Sequence, residues 1–432
     1  VGSKQRMTQF SYTDLPWGRG IKSYSDARGI LQRFELVKAE PREIRHLDGN
    51  GNSSTYNSEG GMTTKVVNPM GSAEERKYTK GLPVAFKDKN GYITRLAYDM
   101  DGNIIHRINP LGAKDICQYD DYGNLVEQTN DRDESNKMTY DGNSNILSIT
   151  SPMGWRYTFD YNELGQLARV TDPEGYGESY DYDNFGNIIR YTNRLGAITI
   201  MEYDAYGYMM SSMTDPRGNK TRYTYDNNNR LTKVMYPDST SKQYAYDCCS
   251  GKSTIDELGR KQLVERDEML NITKSIDAIG NIQSITYDHN SNKTQVIDPS
   301  GLITSMAYDV AGRLEEIKYG DRRVRFQYDH GDRLNSLKDT DGGMTRFDYD
   351  ANDEIISVTG PMNQQSKWLR KTDGQLDEMI TPSGHRVRFE YDKDDMLTGK
   401  WTNGRLSHQM IYNSSGLIKE CQKELIKIFL NY

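Results

Sequence analysis

Cysteine is scarce, at four residues in 432. Cys117 and Cys421 stand alone, while Cys248 and Cys249 are adjacent, a spacing that pairs only with strain. Neither a disulfide framework nor a zinc spacing is present, so the four read as ordinary small side chains in strands. No basic block occurs and the net charge is -7, which disfavours nucleic acid as a partner. No apolar run has membrane-helix length and no signal peptide is visible. The chain opens on Val1 inside a sequence that is already periodic, so it reads as an excerpt of a longer polypeptide. Hydrophobic residues reach only 35 % with tyrosine counted, below the roughly 45–50 % usual for globular domains. Yet 31 tyrosines and many β-branched residues rule out a disordered composition. Much surface around little solid core fits both facts.

Chemistry-bearing groups are equally thin. The six histidines, at 46, 106, 289, 330, 385 and 408, share no ligand spacing with one another or with cysteine. No P-loop or G-x-S-x-G occurs. Asp181, Asp183 and Asn184 surround a glycine turn in a way that suggests calcium, but Thr192 stands where an EF-hand loop requires glutamate. Carboxylate pairs such as Asp120-Asp121 and Asp394-Asp395 read as solvated turn residues rather than as acid and base. The expectation is no catalytic residue, no cofactor and no metal.

What is abundant is one repeated unit. Taking the tyrosine of each Tyr-Asp as position zero, slots fall at 98, 119, 140, 161, 182, 203, 225, 246, 266, 287, 308, 328, 349, 370, 391 and 412. Of the fifteen intervals, twelve are 21 residues. Such a fixed period marks a repeat architecture. Arg266 and Arg370 replace the tyrosine, but the apolar residue two before each slot persists in all sixteen units, as in Phe159, Val264 and Trp368. Six residues after the slot an aliphatic returns, broken only by Lys252 and Lys293. The clearest copies define a candidate structural site. They are Tyr98-Asp99 with Gly102, Tyr119-Asp120 with Gly123, Tyr161 with Gly165, Tyr182-Asp183 with Gly186, Tyr203-Asp204 with Gly207 and Tyr308-Asp309 with Gly312.

The physics of the unit is that of a hairpin. Tyr157-Phe159-Tyr161 and Val387-Phe389-Tyr391 alternate with period two, which predicts a strand with one apolar face. Aspartate after the tyrosine can bond backbone N–H groups just ahead, and the glycine that follows in the turn permits positive φ. A second turn comes about ten residues later, as in Asp172-Pro173-Glu174-Gly175 and Asp215-Pro216-Arg217-Gly218. Two turns per repeat give two strands, and the whole reads as an all-β antiparallel meander. Sixteen such units span roughly 150 Å of sheet at about 4.8 Å per strand, so the sheet must twist and coil, with one face onto an enclosed space.

Residues 98–418 carry this pattern clearly. Residues 1–97 carry it faintly, through Tyr12, Phe34, Tyr56 and Tyr78, and are expected to be divergent repeats. Residues 419–432 read as a short amphipathic helix or a frayed end.

The unit at Tyr161 to Gly175 and again at Tyr203 to Gly218 resembles the YD repeat of Rhs proteins, wall-associated proteins, the cocoon subunits of toxin complexes and the teneurin YD shell. The resemblance implies a hollow β-cocoon, here a partial shell, because a complete one is longer. In bacterial members it also implies a C-terminal toxin as cargo, an exported or cell-surface location, and secretion machinery or a surface partner. Many members carry an aspartyl self-cleavage site after a longer core signature, and that signature is not found here. The function expected is a non-catalytic shell segment whose partners are its own C-terminal toxin cargo and the remainder of the shell. The alternative is an adhesion module of teneurin type, with exposed tyrosines on sugars or protein.

Overall fold

The computed structural model describes residues 9–15, 18–26, 30–39, 41–247, 251–423 and 426–429. Cys248 and Cys249 lie outside them. Among the described residues there are 41 strands and no helix. The chain divides into two compact units, one of residues 1–97, 108–112 and 262–367, the other of residues 98–107, 113–261 and 368–432.

Within each unit, every described pairing is antiparallel and joins strands that follow one another in the chain. In the second unit, Arg156–Tyr161 pairs with Leu167–Thr171, which pairs with Gly177–Tyr182. In the first unit, Arg322–Tyr328, Leu334–Lys338 and Met344–Tyr349 repeat the arrangement.

Register explains how the alternation is used. Phe159 faces Val170, Tyr223 faces Val234, and Phe326 faces Leu337 on one side of the sheet. On the other side Asp160 faces Arg169, Glu265 faces Lys274, and Asp348 faces Ser357. Each pair contributes roughly 0.2–1 kcal/mol. Among the described hydrophobic residues only Val234 and Ile285 are buried. The apolar face is therefore half-covered by its own neighbours rather than by a second layer, which accounts for the lean composition.

A bulge recurs at every Tyr-Asp hairpin whose pairing is described. Tyr161 pairs with Leu167 while Asp160 pairs with Arg169, so one residue of the returning strand is left over. Tyr119, Tyr182, Tyr287 and Tyr349 show the same shift. A bulge bends its strand and increases the twist, so each repeat bends at the same point.

In both units hairpin tips far apart in sequence also meet. Asn50 reaches Asp288 in the first unit and Thr372 reaches Asp131 in the second, separations of 238 and 241 residues.

The described residues before position 98 form strands of the same kind, such as Ser53–Glu59 and Ala73–Thr79. The tail, expected to be a short helix or a frayed end, contains no helix among its described residues. Ile418–Lys423 and Ile426–Phe429 are strands, with Cys421 facing Ile428. Ile426, Lys427 and Ile428 suit period two as well as a helical turn. The open ladder of the preceding strand decides between them, since a short isolated helix is marginal in water.

Candidate functional site

The recurring site is the tip of each Tyr-Asp hairpin with the phenol that precedes it. Asp120 shows how the tip is built. Its backbone N–H donates to Asn124 O at 3.0 Å, and Gly123 N–H donates to Asp120 O at 3.0 Å. Its carboxylate Oδ1 accepts from Tyr122 N and Asn124 N at 3.0 and 2.9 Å, and Oδ2 accepts from Asn124 Nδ2 at 3.0 Å. The hydrogen bond from the Asn124 side chain is the chief reason that the Asp120 carboxyl is held below its ordinary range. Asp99 is braced identically by Asn103, and Asp183 by Asn187.

Asp309 keeps the backbone bonds but takes Arg313 Nε on Oδ2 at 2.8 Å. At Asp204 the loop is one residue longer, and the carboxylate accepts from Tyr208 N and Met209 N instead. The glycines at 102, 123, 165, 186, 207 and 312 all have positive φ, from 73° to 91°. So do Ser144, Asn229, Leu270 and Asp332 at the same position in other repeats.

The phenol closes a gap made by the bulge. Between Leu125–Thr129 and Ser135–Tyr140 the ladder ends at Glu127 and Lys137. Leu125 lies beyond that end, and Tyr140 Oη donates to its carbonyl at 2.8 Å. Tyr119, Tyr161, Tyr182, Tyr203 and Tyr308 do the same to Ile104, Ile146, Leu167, Ile188 and Lys293, at 2.7–3.2 Å. Tyr78 bonds Thr63 O in the divergent region, also 15 residues back. Burial raises the phenol pKa at Tyr98, Tyr119, Tyr203 and Tyr308. In the two substituted slots Arg266 and Arg370 donate to Leu270 O and Gly374 O of their own turns.

Where arginine replaces asparagine after the turn, it both clamps the aspartate and covers the next tyrosine. Arg313 lies 4.6 Å from the Tyr328 ring centroid and bonds Asp332 Oδ1 at 2.7 Å. Arg333 lies 4.7 Å from Tyr349 and bonds Asp353 Oδ1 at 2.7 Å. Arg230 lies 4.6 Å from Tyr246. The available signal is an arginine in the asparagine position, followed one repeat later by an aspartate in the glycine position.

The chemical alternatives resolve into turn and ladder contacts. Asp183 uses its oxygens on Phe185 N, Asn187 N and Asn187 Nδ2, while Asp181 sits 4.0 Å from Arg190. His46 bonds Gln32 and stacks on Phe34, and His330 meets Ser72. Among the described residues no group of three or more His, Cys, Asp or Glu converges as a metal site. No helix among them is long and apolar enough to cross a membrane.

Residues 77–276 and 272–391 match the family described as teneurin YD-shell. Among solved structures, the Tc holotoxin pore of Photorhabdus luminescens aligns with a TM-score of 0.67 at 12% identity, over 96% of this chain and 29% of that one. The TcdB2–TccC3 complex aligns with a TM-score of 0.52 at 15% identity, over 97% and 25%. The same complex without its hypervariable C-terminal region gives 0.51 at 15%, over 97% and 25%. This chain thus spans between a quarter and a third of each of these three structures. No curated protein matches it.

Proposed function

Because this chain belongs to the teneurin YD-shell family, we propose that it is a non-catalytic wall segment of an Rhs-like exported protein, enclosing a C-terminal toxin that lies outside the sequence. A structural shell role is what the fold supports directly. The observation that carries the fuller reading is the use made of the recurring side chains. Tyrosine ties each hairpin to the one before it, aspartate with asparagine or arginine holds each turn, and among the described residues almost nothing apolar is buried behind them. A single layer of sheet with one apolar face suits a container wall better than a solid domain. One related complex has a C-terminal region described as hypervariable, which suits a constant wall with exchangeable contents. On this reading the parent works outside the cell or on its surface, with secretion machinery or a cell-surface partner.

Limited proteolysis of the intact parent tests this. A C-terminal fragment that resists cleavage until the wall is unfolded is the expected result. A parent with no protected fragment favours adhesion instead. That second reading has its own support. Tyr122, Phe185, Tyr206 and Tyr208 stand 66–83% exposed on hairpin tips of one unit, where they could stack on sugars or a partner surface. A glycan array with no signal above background would remove its carbohydrate form.

A further inference from the structure

The contacts between tips distant in sequence differ in kind from those inside a hairpin. In the second unit, tip 130–134 and tip 151–154 meet tips 371–375 and 392–395. Arg132 bonds Asp373 and Asp395 across this seam, and Glu134 within its own tip. Thr372 Oγ1 donates to Asp131 at 3.0 Å. Asp394 accepts from Ser151 Oγ at 2.6 Å and from Met153 N at 2.9 Å. In the first unit, Lys89 pairs with Asp332, Asn50 donates to Asp288, and Asn290 donates to Asp48. All the described strand pairings, by contrast, join neighbours in the chain. Apart from contacts such as Ser72 with His330 and Tyr157 with Ser415 O, these seams are held by polar groups on carboxylates, whereas the hairpins are held by backbone ladders.

The charge balance singles out one residue. The seam stretches 131–134, 371–375 and 392–395 carry seven carboxylates (Asp131, Asp133, Glu134, Asp373, Asp392, Asp394, Asp395) against Arg132, Lys371 and Lys393. Lys371 is occupied by Gln375 of its own tip. Arg132 is the cation that bridges two tips on the far side, and it is three-quarters buried. Lys393 also acts on the Glu134 carboxylate from across the seam, but without Arg132 the carboxylates Asp373 and Asp395 lose the cation that bonds both of them, and the excess like charge in a partly desolvated space repels. We propose that Arg132 is the keystone of a seam that parts while the hairpins on either side stay paired, so that this wall has a built-in line of opening. Lys89, on Asp332, holds the corresponding place in the first unit. The proposal stands on the seam alone, whatever the wall encloses.

The Met153 amide reports on the seam, because its acceptor is Asp394 across it. Residue-resolved hydrogen exchange on the whole chain, comparing the native protein with Arg132→Gln, is the test. Met153 should exchange about tenfold faster in the variant, with amides of Ile146–Thr150 and Arg156–Tyr161 unchanged, as for local rather than global opening. Arg132→Lys should recover at least half of the lost protection on a logarithmic scale. Unchanged Met153 exchange in Arg132→Gln, acceleration shared by the ladder amides, or Arg132→Lys behaving like Arg132→Gln would each overturn the keystone role.

Discussion

Two stretches of hairpins make the same turn by different chemistry. At Asp120–Asn124 and Asp183–Asn187 glycine takes the positive φ, and asparagine braces the aspartate with a neutral amide. At Asp329–Arg333 and Asp350–Glu354 the positive-φ position holds Asp332 or Asp353, which binds an arginine from the preceding repeat. The backbone is alike in both, so register and bulge set the geometry. In the first stretch the sequence meets it with a residue that has no Cβ to strain, and in the second with a strained one held by charge. In the second case the brace also crosses from one repeat to the next, which couples neighbouring tips.

The glycine side of the comparison breaks most severely where space is short. A Cβ on Gly207 would fall 2.6 Å from the Phe185 ring, at φ +73°. On Gly186, at φ +88°, it would meet only the flexible Gln166 amide at 3.2 Å. Gly186→Val should cost about 1–3 kcal/mol from backbone strain. Gly207→Val should cost roughly 2–3 kcal/mol more from overpacking. Urea midpoints for both variants test the difference, and adding Phe185→Ala to Gly207→Val should recover the packing part alone. Equal losses in the two single variants would mean that Phe185 swings aside freely.

The charged side should break through coupling. Arg313 and Asp309 are only 15% exposed, so their pair keeps more of its strength than a surface bridge. Arg313→Ala should cost about 1–2 kcal/mol, since it leaves polar oxygens of Asp309 and Asp332 short of a partner. Asp332→Gly should be harmful in the native background, where Arg313 and Lys89 both use that carboxylate. It should be milder once Arg313 is gone, because relief of the strain at a non-glycine residue then offsets more of the loss. A double-mutant cycle should show about 1 kcal/mol of coupling. Additive effects would mean that the guanidinium does not offset the strain.

The phenol is common to both stretches and smaller in effect. Tyr161→Phe removes the donor to Ile146 O while keeping the ring. The expected loss is about 0.5–1.5 kcal/mol, the usual cost of a net hydrogen bond. Amides of Ile146–Thr150 should lose protection first, and uniform loss across the unit would argue against a local brace.

Both kinds of hairpin are only partly legible in the sequence. The period, the strand faces and both turns can be read there because each depends on residues within a few positions of one another. The acceptor of each tyrosine cannot, since it is created by a bulge whose register only pairing reveals. Arg313 and Arg333 pass as polar variation in an asparagine position, although their partners are one repeat away. The meeting of Arg132 with Asp373 depends on a bend accumulated over many hairpins, which no local pattern encodes. The helical alternative for the tail arises for the opposite reason, because its few residues satisfy two periods at once and only the neighbouring strand breaks the tie.

The substituted slots provide the mildest test. Arg370 bonds Gly374 O at 3.2 Å, inside a unit that retains Trp368, Leu376 and a glycine at positive φ. Restoring tyrosine would exchange that bond for the phenol that the rest of the repeat is shaped to hold. Arg370→Tyr should therefore be neutral or mildly stabilising, by at most about 0.5–1.5 kcal/mol, the net value of one hydrogen bond. The urea midpoint is the measurement. A loss above about 1 kcal/mol would show that the guanidinium supports its turn as Arg313 supports the next one, and that the two arginine positions belong to one charged variant of the hairpin rather than to separate lapses from the neutral one.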